Sequence, residues 1–331
     1  MKISTGLGYT SSFSDAVTEV QELEKIGLDT VWVAELYSFD AVSQMGYLAA
    51  KTERVRIASG ILPIYSRTPA LIAMTAAGLD MVSDGRMLLG LGASGPQVIE
   101  GWHGVPYDAP LTRTREIIEI CRKVWRRERV EFSGKRYQLP LPADQGTGLG
   151  KPLKIINHPV RDDIPIAVAA LGLKSVEATA EIADGWLPVF YHPVKSPARW
   201  GEALEAGRAR RDPNRAPLEV FAGGTVGIGE GLEGLRNLSR GMAALYIGGM
   251  GARKKNFYND VFKSYGYEKE AAEIQDLYLS GKKQEAAAAI PQSFIDETSL
   301  IGPRSFVKEQ LAAYKESGVT SLNVGLMGKT A

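Results

Sequence analysis

Apolar runs alternate with amphipathic stretches along most of this chain, and the alternation predicts strands that are each followed by a helix. Short apolar runs typical of strands occupy residues 2–8, 30–33, 55–59 and 87–91. The same order continues in four later runs, at residues 164–169, 186–190, 218–225 and 321–325. Eight strands separated by helical stretches predict a parallel sheet closed into a (β/α)8 TIM barrel.

Two stretches are longer than a barrel unit needs. Residues 127–163 are predicted to form a hairpin and loop after the fourth strand, and residues 252–300 to form short helices after the seventh strand. Insertions of this size on a barrel usually shape or cover the site at the carboxyl ends of the strands. We therefore expect residues 1–331 to form a single TIM-barrel domain whose two insertions border the functional site.

Composition narrows the choice of partner. The chain has 331 residues, of which 39 are Lys or Arg and 38 are Asp or Glu, and the two signs are mixed evenly. This balance excludes a basic stripe for nucleic acid and a polybasic segment for a membrane surface. The start of the chain lacks the apolar segment of a signal peptide, and no apolar run approaches the roughly 18 residues of a membrane span. These features predict a cytoplasmic protein that acts on a small molecule.

Cysteine and histidine usage argues against metal chemistry. Cys121 is the only cysteine, so an intramolecular disulfide and a cysteine-based metal site are excluded. Its place among apolar residues at helical spacing predicts a buried, unreactive thiol. The three histidines do not have metal-ligand spacing, and His158 and His192, each followed by proline, are expected at the surface. No metal site is predicted.

Residues 86–107, RMLLGLGASGPQVIEGWHGVPY, join a strand to a glycine-rich turn and a polar, aromatic loop. The glycines at 90–95 satisfy GxGxxG after a strand, which is the pattern of a dinucleotide-binding unit. That unit also needs a helix opening directly on the third glycine, and here Pro96 and residues 101–106 interrupt the path. A second match at 229–234 has no such context, so the pattern alone assigns nothing.

Polar residues at strand ends are the candidates for chemistry, because TIM-barrel sites lie where strands end. Glu35 directly follows a buried strand, where a carboxylate is costly unless it has a function or a partner. The alternative is a helix-capping or ion-paired glutamate. His103 lies in the loop beside Trp102, and either forms part of a pocket or packs the loop.

Two further strand exits are candidates for ligand binding. Residues 169–175, AALGLKS, end the fifth strand and open a helix, so unpaired backbone N–H groups, the positive helix end and Lys174 predict an anion site. An ordinary turn is the alternative. Ser59-Gly60-Ile61 follows the third strand, where glycine indicates a bulge or close approach to a flat ligand, or simply a strand exit.

With these residues in place, the chain resembles the luciferase-like flavin and deazaflavin oxidoreductases, specifically the branch that uses coenzyme F420. The resemblance covers nearly the whole chain. It rests on four segments, DTVWVAE, ASGILPIYSRTPALIAMTAAGLDMVSDGRMLLGLG, SGPQVIEGWHGVPY and AALGLKSVEATAEIADGWLP. The last two are the most specific.

The resemblance implies a hydride-transfer enzyme that binds F420 at the barrel mouth. We also expect the chain to form a homodimer. An FMN-dependent monooxygenase is the first alternative, and a cofactor-free lyase or isomerase is the second. The resemblance also implies a non-prolyl cis peptide bond at Ser59-Gly60 or Gly60-Ile61, and a cofactor phosphate at Leu171–Ser175. The implied cofactor-binding residues are Ser59, Gly60, Ile61, Gly92, Ala93, Ser94, Gln97, Ala169, Ala170, Leu171, Gly172, Lys174 and Ser175.

The same resemblance implies residues for the reaction. Glu35 or His103 would carry the proton, and the substrate pocket would be walled by Tyr37, Trp102 and Trp186. Several relatives have Asp-His where this chain has Glu35-Leu36, so the histidine's role is absent or taken by His103. A catalytic glutamate of a sugar-phosphate-oxidising relative corresponds to Gly95, which argues against that substrate.

Overall fold

Eight parallel strands close into a barrel in the computed structural model, which describes residues 1–8 and 12–325. The strands of the described chain are β1 (Lys2–Leu7), β2 (Thr30–Val33), β3 (Arg56–Ser59), β4 (Leu62–Pro63), β5 (Met87–Gly92), β6 (Phe132–Ser133), β7 (Gln138–Leu139), β8 (Ile166–Ala169), β9 (Gly185–Trp186), β10 (Glu219–Ala222), β11 (Val226–Ile228), β12 (Leu300–Gly302) and β13 (Ser321–Val324). The helices are α1 (Phe13–Lys25), α2 (Ala41–Lys51), α3 (Pro69–Val82), α4 (Pro96–Gly101), α5 (Pro110–Trp125), α6 (Leu173–Ile182), α7 (Ser196–Ala209), α8 (Glu233–Ala244), α9 (Phe257–Ser264), α10 (Glu268–Leu279), α11 (Lys283–Ala288), α12 (Gln292–Thr298) and α13 (Arg304–Glu316).

Strand pairing follows the chain around the barrel. β1 pairs with β2, β2 with β3 and β3 with β5, and the neighbours continue through β8, β9 and β10 to β13, which pairs again with β1. All of these pairings are parallel, so the predicted TIM barrel is confirmed. The two-residue β4 pairs with the carboxyl end of β5 and lies at the barrel mouth.

Three elements differ from the prediction. β9 is two residues long and overlaps the predicted strand at 186–190 only at Trp186, and Pro188 has no N–H to extend the ladder. The predicted strand at 218–225 is shorter in the structure, where β10 ends at Ala222, and a separate strand, β11, begins after it at Val226. Helix α4 begins at Pro96, where an interruption was expected, because proline is well suited to the first position of a helix. It is only six residues long.

Apolar side chains fill two layers. Inside the barrel, Trp32 packs edge-on against Phe221 at a centroid distance of 4.9 Å, together with Ala58, Leu88 and Ala167. Alternate strand residues point outward and form the larger core beneath the helices. Cys121 is fully buried in that core, as predicted, and burial raises the pKa of its thiol.

The segments after the fourth and seventh barrel strands that were predicted as insertions each contain further secondary structure. The first contains the hairpin of β6 and β7, which is held by Glu116 on α5 through the backbone N–H groups of Lys135, Arg136 and Tyr137 at 2.7, 3.0 and 2.9 Å. The second contains α9 to α12. Across the described residues, no helix combines the length and apolarity that crossing a bilayer requires.

Candidate active site

A cavity of about 250 Å³ lies at the carboxyl ends of β5 and β8. Helices α5 and α6 form its sides, and the start of α9, from the second insertion, closes part of it. This is the face on which TIM-barrel active sites are found. Pockets for complete small-molecule ligands usually measure about 300–1,000 Å³. This cavity is slightly smaller, so part of a large ligand would lie outside it.

Most of the residues predicted to bind the cofactor meet in this cavity. They come from three segments that are far apart in sequence, and they are Ile61, Gly92, Ala93, Ser94, Ala169, Ala170, Leu171, Gly172 and Ser175. The structure therefore brings together the strand exits on which the prediction depended. The other four predicted residues, Ser59, Gly60, Gln97 and Lys174, do not line the cavity.

Ser59 joins two strands and does not reach the cavity. Its buried hydroxyl donates to the Gly90 carbonyl at 2.9 Å and accepts from the Gly90 N–H at 2.8 Å. A Cβ at Gly90 would fall 1.7 Å from the Ser59 carbonyl oxygen, and one at Gly92 would fall 2.9 Å from Cγ1 of Ile61. Close approach of the β3 exit to β5 therefore accounts for the first two glycines of the GxGxxG pattern.

The exit of β3 presents an apolar surface to the cavity. The Gly60–Ile61 peptide bond is cis, one of the two positions that the resemblance implied. The Gly60 N–H donates to the Val33 carbonyl at 2.7 Å, which ties the exit to β2. The Ile61 side chain follows directly and lines the cavity beside Gly92.

The N-terminus of α6 faces the cavity. Gly172 is its N-cap residue, and a Cβ there would meet only the Ser175 hydroxyl, at 4.0 Å. The first N–H groups of the helix and the positive end of its dipole favour an anion at this place. The predicted cation is not part of this site, however, because the Lys174 side chain is exposed and does not line the cavity.

Glu35 is held in an ion pair. Its two carboxylate oxygens accept from the Arg67 guanidinium at 2.5 and 2.9 Å, and one of them also accepts from the Ala41 N–H at 3.0 Å. Both partners are nearly buried, with side-chain exposures of 9% for Glu35 and 13% for Arg67. Hydrogen bonding to Glu35 raises the pKa of Arg67 further above its ordinary value. This is the ion-paired alternative considered for Glu35.

Arg67 also contacts Asp40, which caps α2 at the Ser43 N–H. Burial opposes ionisation of Asp40, but the Ser43 hydrogen bonds and the Arg67 charge lower its pKa below the ordinary value. The cluster of Glu35, Arg67 and Asp40 thereby fixes the loop from β2 to α2.

An exposed aromatic pair stands beside this loop. Tyr37 and Trp102 have ring centroids 6.5 Å apart and exposures of 56% and 67%, and neither lines the cavity. His103 follows on the same loop. Its Nε2 is buried and has no hydrogen-bond partner within residues 1–8 and 12–325. A buried nitrogen of this kind is costly unless a ligand or water satisfies it.

Trp186 is a core residue, so its assignment to the wall of the substrate pocket is wrong. It is completely buried, and it packs edge-on against Trp200 at 5.3 Å and Tyr191 at 6.1 Å. Its indole N–H donates to the Ala170 carbonyl at 2.9 Å. Because the Ala170 residue lines the cavity, Trp186 supports the wall from behind.

His192 is also buried, contrary to the prediction of a surface role. Its Nε2 lies 2.8 Å from a Glu297 oxygen, and its Nδ1 accepts from the N–H groups of Val194 and Lys195 at 3.2 and 3.3 Å. Burial lowers the pKa of His192, although Glu297 opposes this shift. The pair fastens α12 of the second insertion to the barrel.

The remaining residues of the cavity were not predicted. They are Tyr107, Pro110, Leu111, Thr114, Val168, Ala178, Thr179, Ile182, Leu187, Val189, Phe257 and Tyr258. Most are apolar or aromatic and lie on helices, where sequence patterns do not separate core from pocket. The signal available was the expectation that both insertions border the site. Phe257 and Tyr258 of the second insertion line the cavity, whereas no residue of 127–163 does.

A family model described as luciferase-like monooxygenase matches residues 1–321, and the chain belongs to that family. A Mycobacterium tuberculosis protein described as a coenzyme F420-dependent oxidoreductase is 41% identical to this chain over 329 residues. The match covers 98% of this chain and 94% of the length of that protein. The 5,10-methylenetetrahydromethanopterin reductase of Archaeoglobus fulgidus is 26% identical over 92% of this chain and 87% of its own.

The solved F420-dependent tetrahydromethanopterin reductase of Methanopyrus kandleri has a TM-score of 0.82 against this structure. The match covers 98% of this chain and 92% of that chain at 20% identity. At this level of identity the similarity concerns the fold.

Proposed function

We propose that this chain is an oxidoreductase that uses coenzyme F420 to transfer a hydride to or from a small organic substrate. One observation carries the proposal: the cavity connects the apolar β3 exit at Ile61 to the N-terminus of α6 at Gly172. Relatives that share 41% and 26% identity with the chain are named for F420 chemistry or for a pterin reductase, which supports the cofactor.

The cavity residues fit a deazaflavin. Ile61, Val168 and Leu187 offer apolar contacts for a flat ring, and the opening at Gly172 beside the Ser175 hydroxyl suits an anionic end. Ser94, which has a φ of 58° in the left-handed region, belongs to the same lining. When bound, a deazaflavin supplies a two-electron carrier that exchanges hydride with the substrate.

The protein's own contribution is to bind, orient and move a proton. Neither His103 nor Glu35 lines the cavity. We assign the proton to His103, whose buried Nε2 has no partner among the described residues, and a positioning role to Glu35, whose oxygens are already occupied by Arg67. This reverses the order of the two candidates given by the sequence. The exposed Tyr37 and Trp102 would contact the substrate at the rim, outside the cavity.

An FMN-dependent monooxygenase is the second candidate, because the family description favours oxygen chemistry and the N-terminus of α6 would accept the phosphate of FMN equally well. The name of the 41% identical relative supports F420 over FMN. A cofactor-free lyase or isomerase has no support from the family or these relatives.

We also propose that two copies of the chain pair through the outer face of α3. Leu71, Met74, Met81 and Val82 are 46 to 55% exposed at helical spacing, and the open Gly78 lies among them. The face carries no charge, which suits a self-complementary apolar interface. Light scattering tests this: Met74→Glu should convert a dimer into a monomer, whereas Lys51→Glu on α2 should not.

A cytoplasmic location is part of the proposal, since a single buried thiol suits a reducing compartment.

Hydride transfer can be measured directly. The purified protein is incubated with reduced F420 and a panel of ketones, aldehydes and activated alkenes, with and without oxygen. We expect F420 oxidation that requires a substrate and is indifferent to oxygen. Oxygen consumption coupled to turnover of reduced FMN would replace the proposal with the monooxygenase.

A further inference from the structure

The proposed anion site at the N-terminus of α6 has no cationic side chain among the described residues that line the cavity. The helix end and the Ser175 hydroxyl supply partial charge only, and none of the described residues in the cavity lining is charged. Lys174, the cation expected from sequence, is exposed and does not line the cavity. A phosphate or carboxylate bound in such a place is stabilised when a full positive charge lies nearby.

Lys255 is exposed and does not line the cavity itself, but it lies beside two residues that do. Its Nζ lies 5.7 Å from the ring centroid of Tyr107 and 5.8 Å from that of Phe257, and both rings line the cavity. Contacts of a lysine with two aromatic faces hold it at the rim. In the described chain, Lys255 has no carboxylate partner, whereas the neighbouring Arg253 is paired with Asp276.

The fold fixes the residues that follow Lys255. Asn256 is 3% exposed, and its side-chain oxygen accepts from the N–H groups of Tyr258 and Asn259 at 3.0 and 3.1 Å. Its amide donates to the Ile247 carbonyl at 2.9 Å. This anchored helix cap sets where the second insertion presents Lys255 and Tyr258 to the cavity.

We propose that Lys255 neutralises the anionic end of the cofactor bound at the N-terminus of α6, so that the second insertion completes a site begun by the barrel. The inference rests on the proposed function. It assigns to Lys255 the role that the sequence suggested for Lys174, and it identifies the ligand group as a phosphate or carboxylate that extends from the cavity towards the rim.

Two ligands with the same ring test the inference. Coenzyme F420 carries a phosphate and an acidic side chain, and its precursor FO carries neither. Fluorescence titration gives the affinity of the intact protein for each ligand, for the parent chain, Lys255→Gln and the matched control Lys174→Gln. We expect Lys255→Gln to weaken F420 binding about three- to fivefold at low salt, the effect of one partly exposed charge pair, and to leave FO binding unchanged.

Lys174→Gln should leave both affinities unchanged, and Lys255→Arg should retain F420 affinity. Because salt screens exposed charges, 0.5 M salt should remove most of the difference in F420 affinity between Lys255→Gln and the parent. An unchanged F420 affinity in Lys255→Gln would overturn the inference. So would an equal loss for F420 and FO, since that would mean packing against Tyr107 and not charge. If the parent chain binds neither ligand, the proposed function fails as well, whereas parent binding with an unaffected Lys255→Gln removes only this inference.

Discussion

Replacing Glu35 with glutamine separates a positioning role from proton transfer. The substitution keeps the size of the side chain and an acceptor for the Ala41 N–H, but it removes the charge that pairs with Arg67. Breaking a fully buried ion pair costs about 3–5 kcal/mol, and here Arg67 is partly exposed and keeps Asp40 at 2.9 Å. We therefore expect a loss of about 2 kcal/mol in the free energy of unfolding.

For a chain of 331 residues, that loss corresponds to a decrease in Tm of about 3 °C. Calorimetry or urea unfolding measures it, with Glu22→Gln as the control. The Glu22 ion pair with Lys25 is exposed on both sides, so its removal should cost less than about 0.5 kcal/mol.

The second measurement is kcat of Glu35→Gln and of the parent with any substrate that the enzyme accepts. A positioning role predicts that kcat of Glu35→Gln falls by less than about tenfold, while loss of a general acid or base costs about 10²–10⁴-fold. An unchanged Tm together with a hundredfold lower kcat would refute the reasoning and return the proton to Glu35.

Three further predictions concern the cavity and its supports. Gly172→Asp should abolish F420 binding with an unchanged circular dichroism spectrum, because a carboxylate would enter the anion site; retained affinity would place the phosphate elsewhere. Trp186→Phe should lower the free energy of unfolding by about 1–3 kcal/mol through the lost bond to Ala170 and lost packing, and a change in KM without loss of stability would restore it to the pocket wall. His192 has a lowered pKa in the folded state, so its contribution to the free energy of unfolding should be fully present above the ordinary histidine pKa and be lost as the pH falls through that value, by at most about 1.4 kcal/mol per pH unit. Urea unfolding at several pH values should show a smaller decline for His192→Gln than for the parent, and an equal decline would contradict the assignment.

The barrel could be predicted because the period of apolar residues, and the residues that begin and end helices and strands, report on local structure. The strand at 30–33 was bounded correctly, and the helix that begins at Pro69 has Thr68 as its cap, with its hydroxyl accepting from the Leu71 N–H at 3.2 Å. The strand exits at 59–61, 92–94 and 169–175 were also identified. Parallel strands all end at one face of a barrel, so residues at three such exits had to meet.

Contacts between residues that are far apart in the sequence could not be predicted from local patterns. Nothing local shows that Arg67 lies across from Glu35, that Trp186 turns into the core, or that His192 meets Glu297 more than 100 positions away. Helical residues of the cavity were missed for the same reason, since an apolar position on a helix looks alike whether it faces core or pocket.

Parallel titration of the purified protein with F420 and FMN, each followed by fluorescence at equal salt, tests the central claim most directly. We expect F420 to bind at least about tenfold more tightly than FMN, a difference of about 1.4 kcal/mol in binding free energy. Equal affinities, or tighter binding of FMN, would contradict it and assign the chain to the flavin-dependent monooxygenases.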